Sequence, residues 1–452
     1  MRNRFYISLF CLLSMSCTKD KWFDAKQNLT QVIPQKVSDF QALMDNVVLD
    51  YNAPYLAEIA SDGHYVTDAV FNSLTPVEKN AYTWSHTNPY TNVPDWGGSR
   101  DGSYTRVYYA NLTLDGLKTA TGTGTFDFNN VMGQALFYRA KNFYELLQVF
   151  APVYDSSKAA TDLGIPLRLE SDINIPSKRA TVKESYEQVI ADVKAAVPLL
   201  PVTPQYKTRP SKPACYALLA RLYLSVSDYA DAGKYADSCL HLYTALLNYN
   251  TLNLALTYPL VNYNDDVIMQ STLSVGNGAV SYNAKVDMTL YQQYDPNDLR
   301  KVVLFTPATD GTVGVRSSNF YNTPFNGLTP EEMYLIRAES SARLGQKDAA
   351  MADINTLLRT RYKTGTYIDQ TAATADDALV IVLLERRKEL VFSGLRWSDL
   401  RRFGREGRFA VTLTRTVAGT TYTLDPKSFK YTFPIPDDVI NQAPQLQQNP
   451  GW

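Results

Sequence analysis

Six aromatic rings stand out in this 452-residue chain because of the company they keep. Trp84, Tyr90 and Trp96 fall in the polar stretch 64–101. Tyr263, Tyr282 and Tyr291 fall in 258–321, another stretch rich in Asn, Asp and Gly. An aromatic face packs against the C–H face of a sugar ring, while side-chain amides and carboxylates take its hydroxyls. The same rings could instead anchor neighbouring helices, because large aromatics are usually well buried. Tyrosine is abundant, 31 residues against 18 phenylalanines, and serves either role.

Other chemistry finds less support. Asp62 and His64 could form an acid–base pair, but nothing near them completes such a site. Glu385–Arg402 mixes Glu and Arg at helical spacing around Trp397, a pattern expected to make ion pairs and pin a helix end. Glycoside hydrolysis needs two carboxylates across a cleft, and no such pair is evident. The three histidines, His64, His86 and His241, lack metal-ligand spacing, so neither a metal nor a cofactor is expected. A net charge of -1 gives no electrostatic case for nucleic acid.

The cysteines divide into two pairs. Met1–Arg2–Asn3–Arg4, the apolar run Phe5–Met15, then Ser16, Cys17 and polar Thr18–Lys19–Asp20 follow the order of a secretory signal. The run, which contains Cys11, is too short to span a bilayer. Leu13–Ser14–Met15–Ser16–Cys17 resembles a bacterial lipobox. That implies a signal over 1–16, acylation of Cys17 and a lipid-anchored tether over 17–36. Several acyl chains hold a protein firmly on a membrane. Cys215 and Cys239 flank the turn of a predicted helical hairpin at Ser227–Asp228. They are either a disulfide of an exported protein or two small residues at a tight helix crossing.

Helical spacing places the elements that must position these groups. Helices are expected near Val37–Leu49, Ser103–Leu117 and Asn130–Val149. A capping box at Thr181–Glu184 starts another, running to about Leu200. Tyr216, Leu219, Ala220, Tyr223, Ala232 and Ala236 fit a tetratricopeptide-like hairpin, and Thr329–Leu357 fits a second, opened by a box at Thr329–Glu332. A helix over Ala375–Ser393 precedes a β-hairpin, Phe409–Thr416 with Thr420–Leu424. The class is mostly α: a tetratricopeptide-like helical hairpin scaffold over 37–452 as a single body. Loop and short-strand insertions are expected at about 61–102 and 248–325, with a short helix near Lys285–Gln293.

Longer segments resemble one family. Glu385–Arg402, then Phe433–Pro434–Ile435–Pro436 and Gln448–Asn449–Pro450–Gly451–Trp452, are similar to the C-terminal signatures of the SusD/RagB-like outer-membrane nutrient-binding lipoproteins of Bacteroidota. Tyr108–Tyr109–Ala110–Asn111, Arg179–Ala180–Thr181 and Asp298–Leu299–Arg300 are further matches. The resemblance implies a surface lipoprotein, lipid-anchored in the cell outer membrane and seated as a lid on a SusC-like TonB-dependent β-barrel transporter. Such proteins bind oligosaccharides, or in some members peptides, without catalysis. Four hairpins form the scaffold and variable insertions carry ligand. The expected role is glycan capture. A RagB-like peptide binder, a lipoprotein glycoside hydrolase and a purely structural lid are the alternatives.

Overall fold

The computed structural model describes residues 34–52, 54–97, 102–273, 283–316 and 324–452. Cys17, the expected signal over 1–16 and Tyr282 lie outside the described residues.

Nine helices carry the frame: α1 (Ser103–Leu117), α2 (Phe126–Phe150), α3 (Val182–Ala196), α4 (Lys212–Ser225), α5 (Tyr229–Leu242), α6 (Pro330–Arg343), α7 (Lys347–Arg359), α8 (Ala375–Glu389) and α9 (Arg396–Glu406). From α1 to α7 each packs on the next, and α8 lies against α6 and α7. Helix α2 is the spine, with every residue from Gly133 to Phe150 buried. Its polar side chains are therefore paired inside the protein, as burial demands. Lys141 bonds Glu145 at 2.6 Å, and Gln148 donates to the Tyr186 hydroxyl at 2.9 Å.

Small residues set how closely helices cross. A Cβ on Gly133 would lie 2.9 Å from Leu200, and one on Gly233 would lie 3.0 Å from Ser340 of α6. Ala220, Ala232 and Ala236 are fully buried at the α4–α5 crossing. Cys215 and Cys239 sit in the same two helices as free, buried thiols, so the bridge left open by the sequence is not formed.

The two insertions are joined to each other. His64–Tyr65, Lys285–Val286, Val313–Val315 and Phe305–Pro307 form a four-stranded antiparallel sheet in that order. The segment 61–102 is not the long loop expected. It holds helices Asp68–Ser73 and Pro76–Thr83, the second opened by a full capping box between Thr75 and Glu78. The box predicted at Thr329 forms only half: its hydroxyl accepts from the Glu332 amide, but the Glu332 carboxylate is taken by Arg221 at 2.5 and 2.8 Å. Several predicted helices end early. The first stops at Met44, α3 at Ala196 and α8 at Glu389, where a turn with Phe392 at φ 57° redirects the chain. Lys285–Val286 is strand, and only Met288–Tyr291 of the region predicted helical is helix. The C-terminal hairpin pairs Leu413–Val417 with Thr420–Leu424.

The run Glu385–Arg402 is a buried ion-pair network. Arg386 and Arg402 meet Asp399, Arg402 also meets Glu339, and Arg300 meets Glu385 and Glu389. Trp397 packs, tilted, against the rings of Tyr431 and Phe433 rather than on an arginine. Asp62 and His64 do not pair. Asp62 accepts two hydrogen bonds from Arg396, at 2.7 and 2.8 Å. Burial opposes its ionisation, but the Arg396 and Arg387 charges hold its carboxyl well below the usual range. Burial, with Arg415 nearby, pushes His64 down to about 3.

Candidate functional site

One groove combines an exposed ring with polar groups. It has a volume of about 420 Å³, within the range of small-ligand sites. Three distant stretches form it: Trp96 with the start of α1, the loop 166–177, and α10 (Asp437–Gln442) with the residues after it.

Helix α1 presents Tyr104, Tyr108 and Asn111, at helical spacing, to this groove. Tyr108 is 40% exposed. Trp96 forms a floor beneath, its ring 4.9 Å from Tyr104 and edge-on to Phe150 at 5.0 Å. The Tyr104 hydroxyl donates to the Pro166 carbonyl at 2.8 Å, which fixes the loop opposite.

That loop is held from within and from below. Asn111 donates to the carbonyls of Arg168 and Glu170, at 2.8 and 3.2 Å. Arg139 of α2 in turn donates to Asn111 at 3.1 Å. Asp115 accepts from the Ser171 amide and hydroxyl, each at 2.8 Å. Burial works to raise the Asp115 carboxyl, but Lys118 and Ser171 together hold it below its usual value. The Arg168 guanidinium is spent on its own loop, donating to Asp172, Ile175 and Ser177. Glu170, Ile173 and Gln442 remain exposed around the rim.

A flat ring, apolar flanks and exposed amide and carboxylate groups can stack and hydrogen-bond a ligand. Among the described lining residues Glu170 is the single carboxylate, so this groove lacks the carboxylate pair of a glycosidase.

The predicted rings do not converge. Trp96 reaches the groove, but at 6% exposure it packs the floor rather than standing free. Trp84 is buried, its indole N–H donating to the Ala60 carbonyl at 3.0 Å and its face covered by Arg415. Tyr90 is fully buried, edge-on to Phe433 and Trp452, and its hydroxyl donates to Ser85. Both are anchors, because C-terminal segments close over them. Tyr263 is exposed in its loop, apart from the groove's lining. Tyr291 is half-buried against Phe305, with the Lys301 ammonium 4.9 Å over its ring. Sequence reasoning missed Tyr104, Tyr108 and Asn111 as site residues. Their spacing along α1 was the available signal.

Comparison with known proteins bears on both halves of the chain. Residues 21–224 match a family model described as starch-binding associating with outer membrane, and residues 331–452 match that of the SusD family. SusD-like protein P2 of Formosa agariphila is 24% identical over 391 residues, 72% of this chain and 74% of that protein. Among solved structures, a SusD superfamily protein from Bacteroides vulgatus is similar with a TM-score of 0.75 at 22% identity, over 93% of this chain and 100% of that one. A SusD superfamily protein from Bacteroides thetaiotaomicron gives 0.73 at 19%, over 92% and 100%. A SusD-like carbohydrate binding protein from Bacteroides vulgatus gives 0.70 at 18%, over 91% and 98%. These structures share the helical fold found here.

Proposed function

The chain belongs to the SusD/RagB family, and from that premise we propose that it captures an oligosaccharide at the outer membrane and delivers it to a SusC-like TonB-dependent transporter. The observation that carries this reading is the groove: the exposed Tyr108 ring shares its lining with Trp96, with Glu170 and Gln442 at hand for hydroxyls. Binding is noncatalytic, and a few contacts around Tyr108 dominate it. Among the described residues no helix is long and apolar enough to cross a membrane, and the proposed anchor is the acylated Cys17.

Calorimetry against a panel of neutral oligosaccharides and peptides tests this reading. One oligosaccharide binds the wild type, and Tyr108→Ala weakens it at least tenfold while the fold is retained. Binding by peptides alone, or glycan affinity untouched by Tyr108→Ala, rejects it. For the anchor, Cys17→Ala releases the protein from the membrane fraction. Co-purification of a β-barrel partner with the wild type tests the delivery step.

A further inference from the structure

Resting on the capture reading above, one further step follows: we propose that the Tyr108 groove selects sugars that carry an acetamido group. That group has three parts, an N–H donor, a carbonyl acceptor and a methyl. The groove offers a partner for each.

The donor meets Glu170. Other polar groups of the lining are already committed. The Asn111 amide is spent on the carbonyls of Arg168 and Glu170, and the Arg168 guanidinium on Asp172, Ile175 and Ser177. The Glu170 side chain is exposed. An ionised carboxylate only accepts, so it favours a ligand that donates. Tyr108 and Asn111 lie three residues apart on α1 and are neighbours on its surface. The 3.2 Å bond from Asn111 to the Glu170 carbonyl therefore seats Glu170 beside the exposed ring.

The facing wall supplies the other two partners. Val439, Gln442 and Ala443 line it at spacings of three and four, which share one helical face. The exposed Gln442 amide can donate to the acetamido carbonyl. Val439 and Ala443 flank it, Leu446 lies beyond, and Ile173, 77% exposed, stands on the rim. A sugar hydroxyl turned towards these side chains gives up water without a new partner, whereas a methyl there removes apolar surface from water. Charge favours the same neutral group. Arg168 and Glu170 are the charged side chains among the described lining residues, and their signs are opposite. Neither a free amino sugar nor a uronate gains a net counter-charge.

Calorimetry compares tetraacetyl-chitotetraose with its de-N-acetylated form and with cellotetraose. N-acetylgalactosamine against galactose repeats the comparison on an epimeric ring. Within a series the acetamido sugar binds at least tenfold tighter than its hydroxyl or amine counterpart. Glu170→Ala, at an exposed side chain, and Val439→Asn each remove most of that preference, whereas Tyr108→Ala weakens every sugar. Equal binding of the hydroxyl sugars, still dependent on Tyr108, overturns the selection and leaves capture standing. A preference that survives Glu170→Ala, tighter binding of the amine, or no binding of either acetamido sugar also overturns it. Absence of binding across the whole oligosaccharide panel removes capture as well.

Discussion

Arg139 of α2 grips Asp192 of α3 through two charge-assisted hydrogen bonds, 2.7 Å from Nε and 2.8 Å from Nη2. Both side chains are about nine-tenths buried or more. The remaining Nη1 donates to Asn111 and to the Leu169 carbonyl. One guanidinium therefore ties two core helices to the wall of the groove.

Arg139→Met should destabilise the fold by about 3–5 kcal/mol, because it leaves Asp192 as a buried charge without its cation. Lysine cannot replace the fork. Arg139→Lys should therefore retain part of the stability but loosen the 166–177 loop, lowering glycan affinity. Urea unfolding and calorimetry on the same samples check both.

Trp96 and Tyr108 line one groove but should respond differently. Trp96 is wedged between Tyr104 and Phe150, so Trp96→Ala should cost about 3–5 kcal/mol of stability. Tyr108 is exposed, and Tyr108→Ala should change stability by less than about 0.5 kcal/mol. Thermal melts run beside the binding titration separate loss of contact from loss of fold.

Asn449 is the hub of a C-terminal latch. Its amide donates to the carbonyls of Phe150 at 2.9 Å and Phe433 at 2.7 Å, and its oxygen accepts from Arg179 at 2.8 Å. Asn449→Ala strands buried partners on three segments at once. A loss of at least about 2 kcal/mol is expected, read as a lower urea midpoint at unchanged m-value.

Glu58 gives the fold a pH dependence with a definite sign. Its carboxylate accepts from the Gly394 amide at 2.9 Å, yet burial outweighs this and raises its pKa from 4.5 to about 7. The raised folded-state value means that the contribution of Glu58 is present below about pH 4.5 and is lost as pH rises to 7. At 1.36 kcal/mol per unit, the loss reaches about 3 kcal/mol. Glu58→Gln should match the wild type at pH 4.5 and exceed it by up to that amount above pH 7. A constant difference across the range in pH-resolved unfolding would refute this.

The helical frame was legible because its signals are local. Ser103–Leu117 was bounded correctly by spacing, and the Thr181–Glu184 box forms as read, both amide bonds included. Ala232 and Ala236 announced a close crossing. The Thr75–Glu78 box carried the same kind of signal inside the supposed loop, where the polar composition hid it. The resemblance carried by the last five residues matches their structural work as a latch, with Trp452 donating to the Thr432 carbonyl at 2.7 Å.

Exposure was decided elsewhere. Trp84 and Tyr90 sit among polar neighbours in sequence, yet Arg415 covers the first and Asp437 and Trp452 enclose the second, more than three hundred residues away. The groove likewise needs 96–97, 104–111, 166–177 and 439–446 side by side. Periodicity and caps are governed by bonds three or four residues apart, so the chain alone determined where helices run and that they stack. Which ring meets water depends on distant segments brought over it by packing and buried ion pairs, and only the tertiary structure could decide that.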